Sequence, residues 1–130
     1  MELIGRIISP GAAEGPALIT KDPVSFYGGV DPTTGIITDK DHELFGTSIT
    51  GTIFIFPRGK GSTVGSYVLY RMKKQGTSPA GIINLESEAI IAVGAIIASI
   101  PLVDQLDQNP LEVIQAGQLV KIKGDRVIIN

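Results

Sequence analysis

Strand–helix–strand units in the middle of the chain, flanked by hairpin patterns at both ends, predict an α/β domain with mixed sheets and about two main helices. Three observations carry this. Thr52-Ile-Phe-Ile-Phe56 and Ala80-Gly-Ile-Ile-Asn-Leu85 are short apolar runs of the kind a sheet buries on both faces, and each is followed by a helical pattern. Near the end, Gly124-Asp125 separates Leu119–Lys123 from Arg126–Ile129, the spacing of a tight hairpin. At 130 residues the chain suits one domain, residues 1–130, with a single core.

Taken in order, Leu3 to Ile8 and Ala17 to Thr20 read as two strands folding back on each other around Ser9-Pro-Gly-Ala-Ala-Glu-Gly-Pro16, a turn too long for a two-residue hairpin. Gly28-Gly29 permits unusual backbone angles, and Asp31-Pro32 starts a turn. Gly35 to Thr38 is a short strand, and Leu44 to Thr50 leads into the central strand, Thr52–Phe56. From Thr63 the chain reads as a helix, because Val64, Val68, Leu69 and Met72 fall on one apolar face; Gly76 is its left-handed end and Pro79 cannot continue it. Ala80–Leu85 is a buried strand. Glu86-Ser-Glu88 opens a second helix, Ser87 to Ala98, with acidic groups in its first turn as the macrodipole favours. That helix is apolar almost all round, so it lies deep in the core or against a partner chain. Ile100 to Asp104 is a strand, and a one-turn helix follows before the final hairpin.

Composition excludes several classes of function. With 11 basic and 13 acidic residues the net charge is −2, which leaves no electrostatic footprint for nucleic acid or an anionic membrane. The absence of cysteine means that this chain cannot by itself hold a disulfide, a thiolate zinc or an iron–sulfur cluster. His42, the only histidine, sits in the charged run Thr38-Asp-Lys-Asp-His-Glu43 and reads as part of a solvated turn or helix start, not as a metal ligand. The N-terminus lacks the pattern of a signal peptide, and Ala89 to Ile100 is too short to span a bilayer, so a soluble, cytoplasmic protein is expected.

The chemistry concentrates in Pro57-Arg-Gly-Lys-Gly-Ser-Thr-Val-Gly-Ser66, between the central strand and the first helix. The first N–H groups of a helix lack intrahelical partners and carry partial positive charge, which makes such a junction an anion site. Gly59, Gly61 and Gly65 let backbone approach a ligand, Arg58 and Lys60 add cations, and Ser62, Thr63 and Ser66 add hydroxyls at N-cap positions. Both common nucleotide fingerprints fail: Gly61, not Ser or Thr, follows Lys60, and the glycine spacing is one residue too long for the dinucleotide pattern. A plain reading, in which Ser62 or Thr63 caps a helix and the glycines make the turn, stands beside the anion-site reading.

Phe56-Pro-Arg-Gly-Lys-Gly-Ser-Thr-Val-Gly-Ser66, Ser25-Phe-Tyr-Gly-Gly-Val-Asp-Pro32 and the terminal Gly117-Gln-Leu-Val-Lys-Ile122 together resemble the aconitase X family, in particular the small subunits of archaeal phosphomevalonate dehydratases. The resemblance extends over essentially the whole chain. It implies a swivelling β/β/α domain, and a heterodimer in which a large subunit carries a 4Fe-4S cluster while this subunit closes over the active site. It further implies a small-molecule substrate, a phosphorylated hydroxy acid: (R)-5-phosphomevalonate is dehydrated to trans-anhydromevalonate 5-phosphate in the archaeal mevalonate pathway. The family's catalytic serine falls at Ser62, as proton acceptor. Arg58, Lys60, Gly61 and Thr63 become the substrate-binding group, with two roles open to the cations: holding the substrate's carboxylate or phosphate, or supplying positive potential to Ser62. Two alternatives stand beside this reading: a hydroxyproline-type dehydratase of the same family, and a non-catalytic mobile scaffold docking through the helix at 87–98.

Overall fold

A computed structural model describes residues 1–130. Its centre is three parallel strands, β4 (Ile53–Phe56), β5 (Gly81–Asn84) and β6 (Leu102–Asp104), with β5 in the middle. Their residues alternate between two cores, as the period of two requires. Phe54, Phe56, Ile82 and Leu102 face one core, whereas Ile53, Ile55, Ile83 and Val103 face the other. Helices α2 (Gly65–Gln75) and α3 (Ala89–Ala98) close the first core with Leu69, Met72, Ile91 and Ala95. The second is closed by β7 (Leu119–Lys123), β8 (Arg126–Ile129) and β1 (Glu2–Ile4), through Val120, Ile122, Val127, Ile129 and Leu3. Two-sided burial explains why the central strands are continuous apolar runs. Each fully buried Ile or Phe contributes about 1.5–3 kcal/mol of transfer free energy.

The expected α/β class with mixed sheets is therefore observed, and the final hairpin pairs Lys123 with Arg126 across Gly124-Asp125. The N-terminal expectation needs correction. Residues 3–8 are two strands, β1 and β2 (Arg6–Ser9), and neither pairs with the strand that follows. β1 lies antiparallel to β8, and β2 antiparallel to β6 at the opposite edge, so the full order is β1-β8-β7-β3-β4-β5-β6-β2. The stretch read as a turn is largely strand: β3 runs from Ala12 to Ile19. Pro16 is tolerated there because it marks the switch of neighbours. Residues 12–16 pair with β7, while Ala17 to Ile19 pair in parallel with β4.

Between β3 and β4 the chain makes a one-turn element, α1 (Phe26–Gly29), and a series of turns joined by single bridges. Phe26 is buried and packs against Phe56, with ring centroids 6.2 Å apart, so this segment is fixed to the end of β4. Asp31 is a turn former, its Oδ1 accepting from Thr33 N at 2.9 Å. His42 is buried, against expectation: Nδ1 accepts from Leu44 N at 3.0 Å, and Nε2 has no partner within the chain. A charged run can bury its one amphipathic ring and leave the carboxylates outside. The short helix α4 (Pro110–Val113) starts at Asn109, whose side chain accepts from Leu111 N. No helix is long and apolar enough to cross a membrane.

Candidate functional site

The loop from Pro57 to Val64 leaves the carboxyl end of β4 and is held at its base by the neighbouring junction. Asn84, fully buried at the end of β5, donates from Nδ2 to Phe56 O at 3.0 Å, and Leu85 N donates to Pro57 O at 3.1 Å. Further along, Val24 N donates to Arg58 O at 3.1 Å and Lys60 N to Val24 O at 3.0 Å. Gly59 is packed so closely that a Cβ there would lie 2.4 Å from Ile91 Cγ1 and 2.5 Å from Glu88 Oε1. Gly61 has φ +88°, and a Cβ there would lie 2.6 Å from Ser25 Oγ. Both glycines are thus required by the path of the chain.

Ser62 and Thr63 emerge from this clamp and are exposed. The helix begins at Gly65, two residues later than the sequence pattern predicts, because Thr63 and Val64 form a turn that uses the local donors. Ser62 Oγ accepts from Val64 N at 3.2 Å, Ser62 O from Gly65 N at 2.9 Å, and Thr63 O from Ser66 N at 3.2 Å. The unbonded donors therefore lie upstream of the helix proper: the successive N–H groups of Gly61, Ser62 and Thr63 make no hydrogen bond within the chain. Consecutive free N–H groups next to a left-handed glycine form an anion-receiving concavity. Val64, at the N-cap position, supplies no side-chain cap.

The structure brings Gly61, Ser62 and Thr63 together and divides the rest. Thr63 lines a groove of 320 Å³ between α2 and α3, with Ser66, Tyr67, Ile90 and Val93. Lys60 lies on the other side, at a polar cavity of 150 Å³ whose walls include Asp22, Asp39, Asp41 and His42. Arg58 is exposed and makes neither an ion pair nor a side-chain hydrogen bond. The largest concavity, 430 Å³ along β3 and β7, contains none of the residues singled out in the sequence.

Sequence reasoning missed the supports. Asn84 had a visible signal, a polar residue ending an apolar strand, but Ser25 acts through a contact 36 positions away in the chain. Beside the loop, Asp104 is a fully buried carboxylate paired with Arg6 at 2.9 Å and accepting from Ser87 N at 2.7 Å. Burial alone pushes its pKa up, but the hydrogen bonds from Arg6 and Ser87 and the charge of Arg6 outweigh this and hold it below the ordinary carboxylate value. The Ser87 hydroxyl in turn donates to Asn84 Oδ1 at 3.1 Å, tying this network to the base of the loop.

Residues 2–130 match the aconitase X swivel domain. The chain belongs to the aconitase X swivel-domain family. Crystallographic Thermococcus kodakaraensis aconitase X, in its holo-form, shares 47% identity with this swivel domain, with a TM-score of 0.94 over 100% of this chain and 98% of that one. A phosphomevalonate dehydratase small subunit from Methanocella arvoryzae is 54% identical over 100% of this chain and 98% of its own length. Another, from Pyrococcus furiosus, is 55% identical over 97% of this chain and 92% of its own. Iron–sulfur chemistry, which the family implies, does not fit the residues of this swivel domain. It has no cysteine, and no group of three or more His, Asp or Glu side chains is placed to hold a metal ion.

Proposed function

We propose that this chain is the small subunit of a heteromeric hydro-lyase, one domain spanning residues 1–130, that works in the cytoplasm with a large subunit carrying the 4Fe-4S cluster. Its reaction is the dehydration of (R)-5-phosphomevalonate to trans-anhydromevalonate 5-phosphate in the archaeal mevalonate pathway. Full-length similarity to small subunits of that name supports the assignment of substrate.

The observation that carries the residue assignment is the state of Ser62: an exposed hydroxyl whose Oγ already accepts a backbone N–H, on a loop with three further donors unbonded. Dehydration of a 3-hydroxy acid breaks a C–H bond next to a carboxylate; the electron pair of that bond forms the double bond as the C3–O bond breaks. The hydroxide leaves and is released as water, with a Lewis acid on the large subunit suited to receive it, and the C–H proton must be received by a base. A serine hydroxyl is a poor acceptor unless its anionic form is stabilised. Val64 N–H and the start of α2 supply positive potential at that oxygen. The N–H groups of Gly61, Ser62 and Thr63 are suited to an oxygen of the substrate's carboxylate or phosphate. Arg58, free of any internal partner, is the better clamp of the two loop cations; Lys60 stands beside three aspartates.

The test is anaerobic turnover of 5-phosphomevalonate by the chain co-purified with its large subunit. Ser62→Ala is expected to lower kcat by at least about 100-fold, the scale of a general base, while the complex assembles and melts as the parent does. Arg58→Ala is expected chiefly to raise KM. A fully active Ser62→Ala enzyme sinks the base assignment. An intact complex that is inert on this substrate but dehydrates a hydroxyproline transfers the reading to the phosphate-free branch of the family.

A further inference from the structure

We propose that the outer face of α2 and α3 is where the large subunit docks, through an apolar patch on that subunit ringed by acidic side chains. The inference rests on the two-subunit reading above and identifies the surface through which it is realised. Three observations converge on it.

The first is the composition of α3. Ala89–Ala98 contains no polar side chain, yet only Ile91, Gly94, Ala95 and Ala98 are buried. Val93, Ile96 and Ile97 are 49%, 53% and 42% exposed and lie on one side of the helix. A helix whose outer side stays in water carries polar residues there, and α3 has none. Exposed apolar surface concentrated in this way marks an interaction site.

The second is continuity with the reacting loop. The groove between the helices runs from Thr63 past Tyr67 and Ile90 to Val93, so the apolar face begins next to Ser62. If Ser62 meets a substrate held with another chain's groups, the surface adjoining it is carried against that chain.

The third is charge. Between Leu44 and Leu85 the chain has no Asp or Glu, while α2 carries the exposed bases Arg71, Lys73 and Lys74, within a molecule of net charge −2. Lys73 reaches across to Ser99 O at 3.4 Å, placing a cation at the far end of the two helices, and Lys74 stands over the ring of Tyr70. An apolar centre with a basic rim selects a partner with an acidic rim. The exposed aliphatic residues on strands are Ile4 on β1, Ile7 on β2 and Leu119 on β7, none of them on the two helices.

The experiment measures binding of the purified large subunit by calorimetry for wild type, for Val93→Asp combined with Ile96→Asp, and for Ile7→Asp. The double variant is expected to raise Kd at least 100-fold with its own Tm retained, turnover returning as the large subunit is raised toward saturation. Ile7→Asp is expected to bind as wild type, and wild-type Kd is expected to rise with ionic strength. Should the double variant melt early, Arg71→Glu with Lys74→Glu leaves the core untouched and is expected to weaken binding tenfold or more. Unchanged binding by both double variants overturns the proposal, as does loss of binding in Ile7→Asp alone. It also fails if the chain by itself is a dimer that the variants dissociate without affecting the large subunit, since the face then serves a second copy. These outcomes are separate from those for Ser62: a complex that forms through this face but is inert on 5-phosphomevalonate removes the substrate reading and leaves the docking surface standing.

Discussion

The junctions β4–α2 and β5–α3 are neighbouring copies of one unit, a parallel strand running into a helix, and they treat their polar groups in opposite ways. At β5–α3 most local donors have an internal partner, those of Glu88 N and Ala89 N excepted. Glu88 caps its own helix, its carboxylate accepting from Ile90 N at 2.7 Å and Ile91 N at 2.9 Å; Ser87 N is held by Asp104, and Leu85 N and O are both bonded. At β4–α2 the helix has no side-chain cap, the N–H groups of three successive residues are unbonded, and the cations are unpaired. The difference teaches that the same unit can close its helix start with an acidic cap or leave donors open to an anion. The acidic cap that stabilises α3 would, at α2, occupy the position of an anionic ligand.

The comparison can be broken first at the point where the two junctions touch. Gly59→Val forces a Cβ against Ile91 and the capping carboxylate of Glu88, and overpacking of that kind costs about 1–3 kcal/mol. A Tm lowered by about 5–10 °C, together with loss of turnover, is expected in a calorimetric scan and an activity assay; a variant unchanged in both shows that the junctions are not coupled through Gly59.

A smaller effect comes from the network beneath them. Asp104→Asn leaves Arg6 and Ser87 N without their charged partner and is expected to cost about 1–3 kcal/mol at pH 7. Because the folded carboxyl titrates below its unfolded value, its contribution is fully present above about pH 4 and is lost as pH falls through the folded value. Melting curves should therefore show the gap between wild type and variant constant from pH 7 to about 4, closing below that. A gap that closes above pH 5 contradicts the assignment.

The smallest effect sharpens the contrast between the junctions. Glu88→Gln weakens the cap of α3 and is expected to cost about 1 kcal/mol, read as a Tm lower by a few degrees, with kcat within twofold of wild type. A tenfold fall in kcat would place Glu88 in the reacting site and erase the distinction.

Much of this architecture could be read from the sequence, for identifiable reasons. The central strands were visible because burial on both faces removes every polar residue from them, and the end of α2 because Gly76 adopts φ +77° and caps it. The N-terminal strands were misassigned because proximity in sequence suggested a hairpin, whereas their partners are β8 and β6, around residues 127 and 103. Nothing local specifies such pairings. In the same way, the density of hydroxyls, glycines and cations disclosed the loop at 57–64. That Lys60 and Thr63 would line different cavities depends on where residues 22–42 and α3 pack, which spacing within the loop does not encode. The basic character of residues 44–85 was hidden by a net charge taken over the whole chain.

The clamped base of the loop has a consequence for motion. Val24 bonds the backbone on both sides of Gly59, Ser25 lies against Gly61, and Phe26 is packed on Phe56, so the hydroxyl of Ser62 is joined to the sheet through several short connections and not through a flexible tether. Such a group has little travel of its own. In the proposed role, Ser62 meets a substrate as a fixed tooth on a rigid body, and little conformational entropy is lost from the loop on binding. On the proposed function, the rate of arrival is then set by how the whole sheet-and-helix body moves against the large subunit, and substitutions far from Ser62 that alter that motion are expected to alter turnover without touching the chemistry.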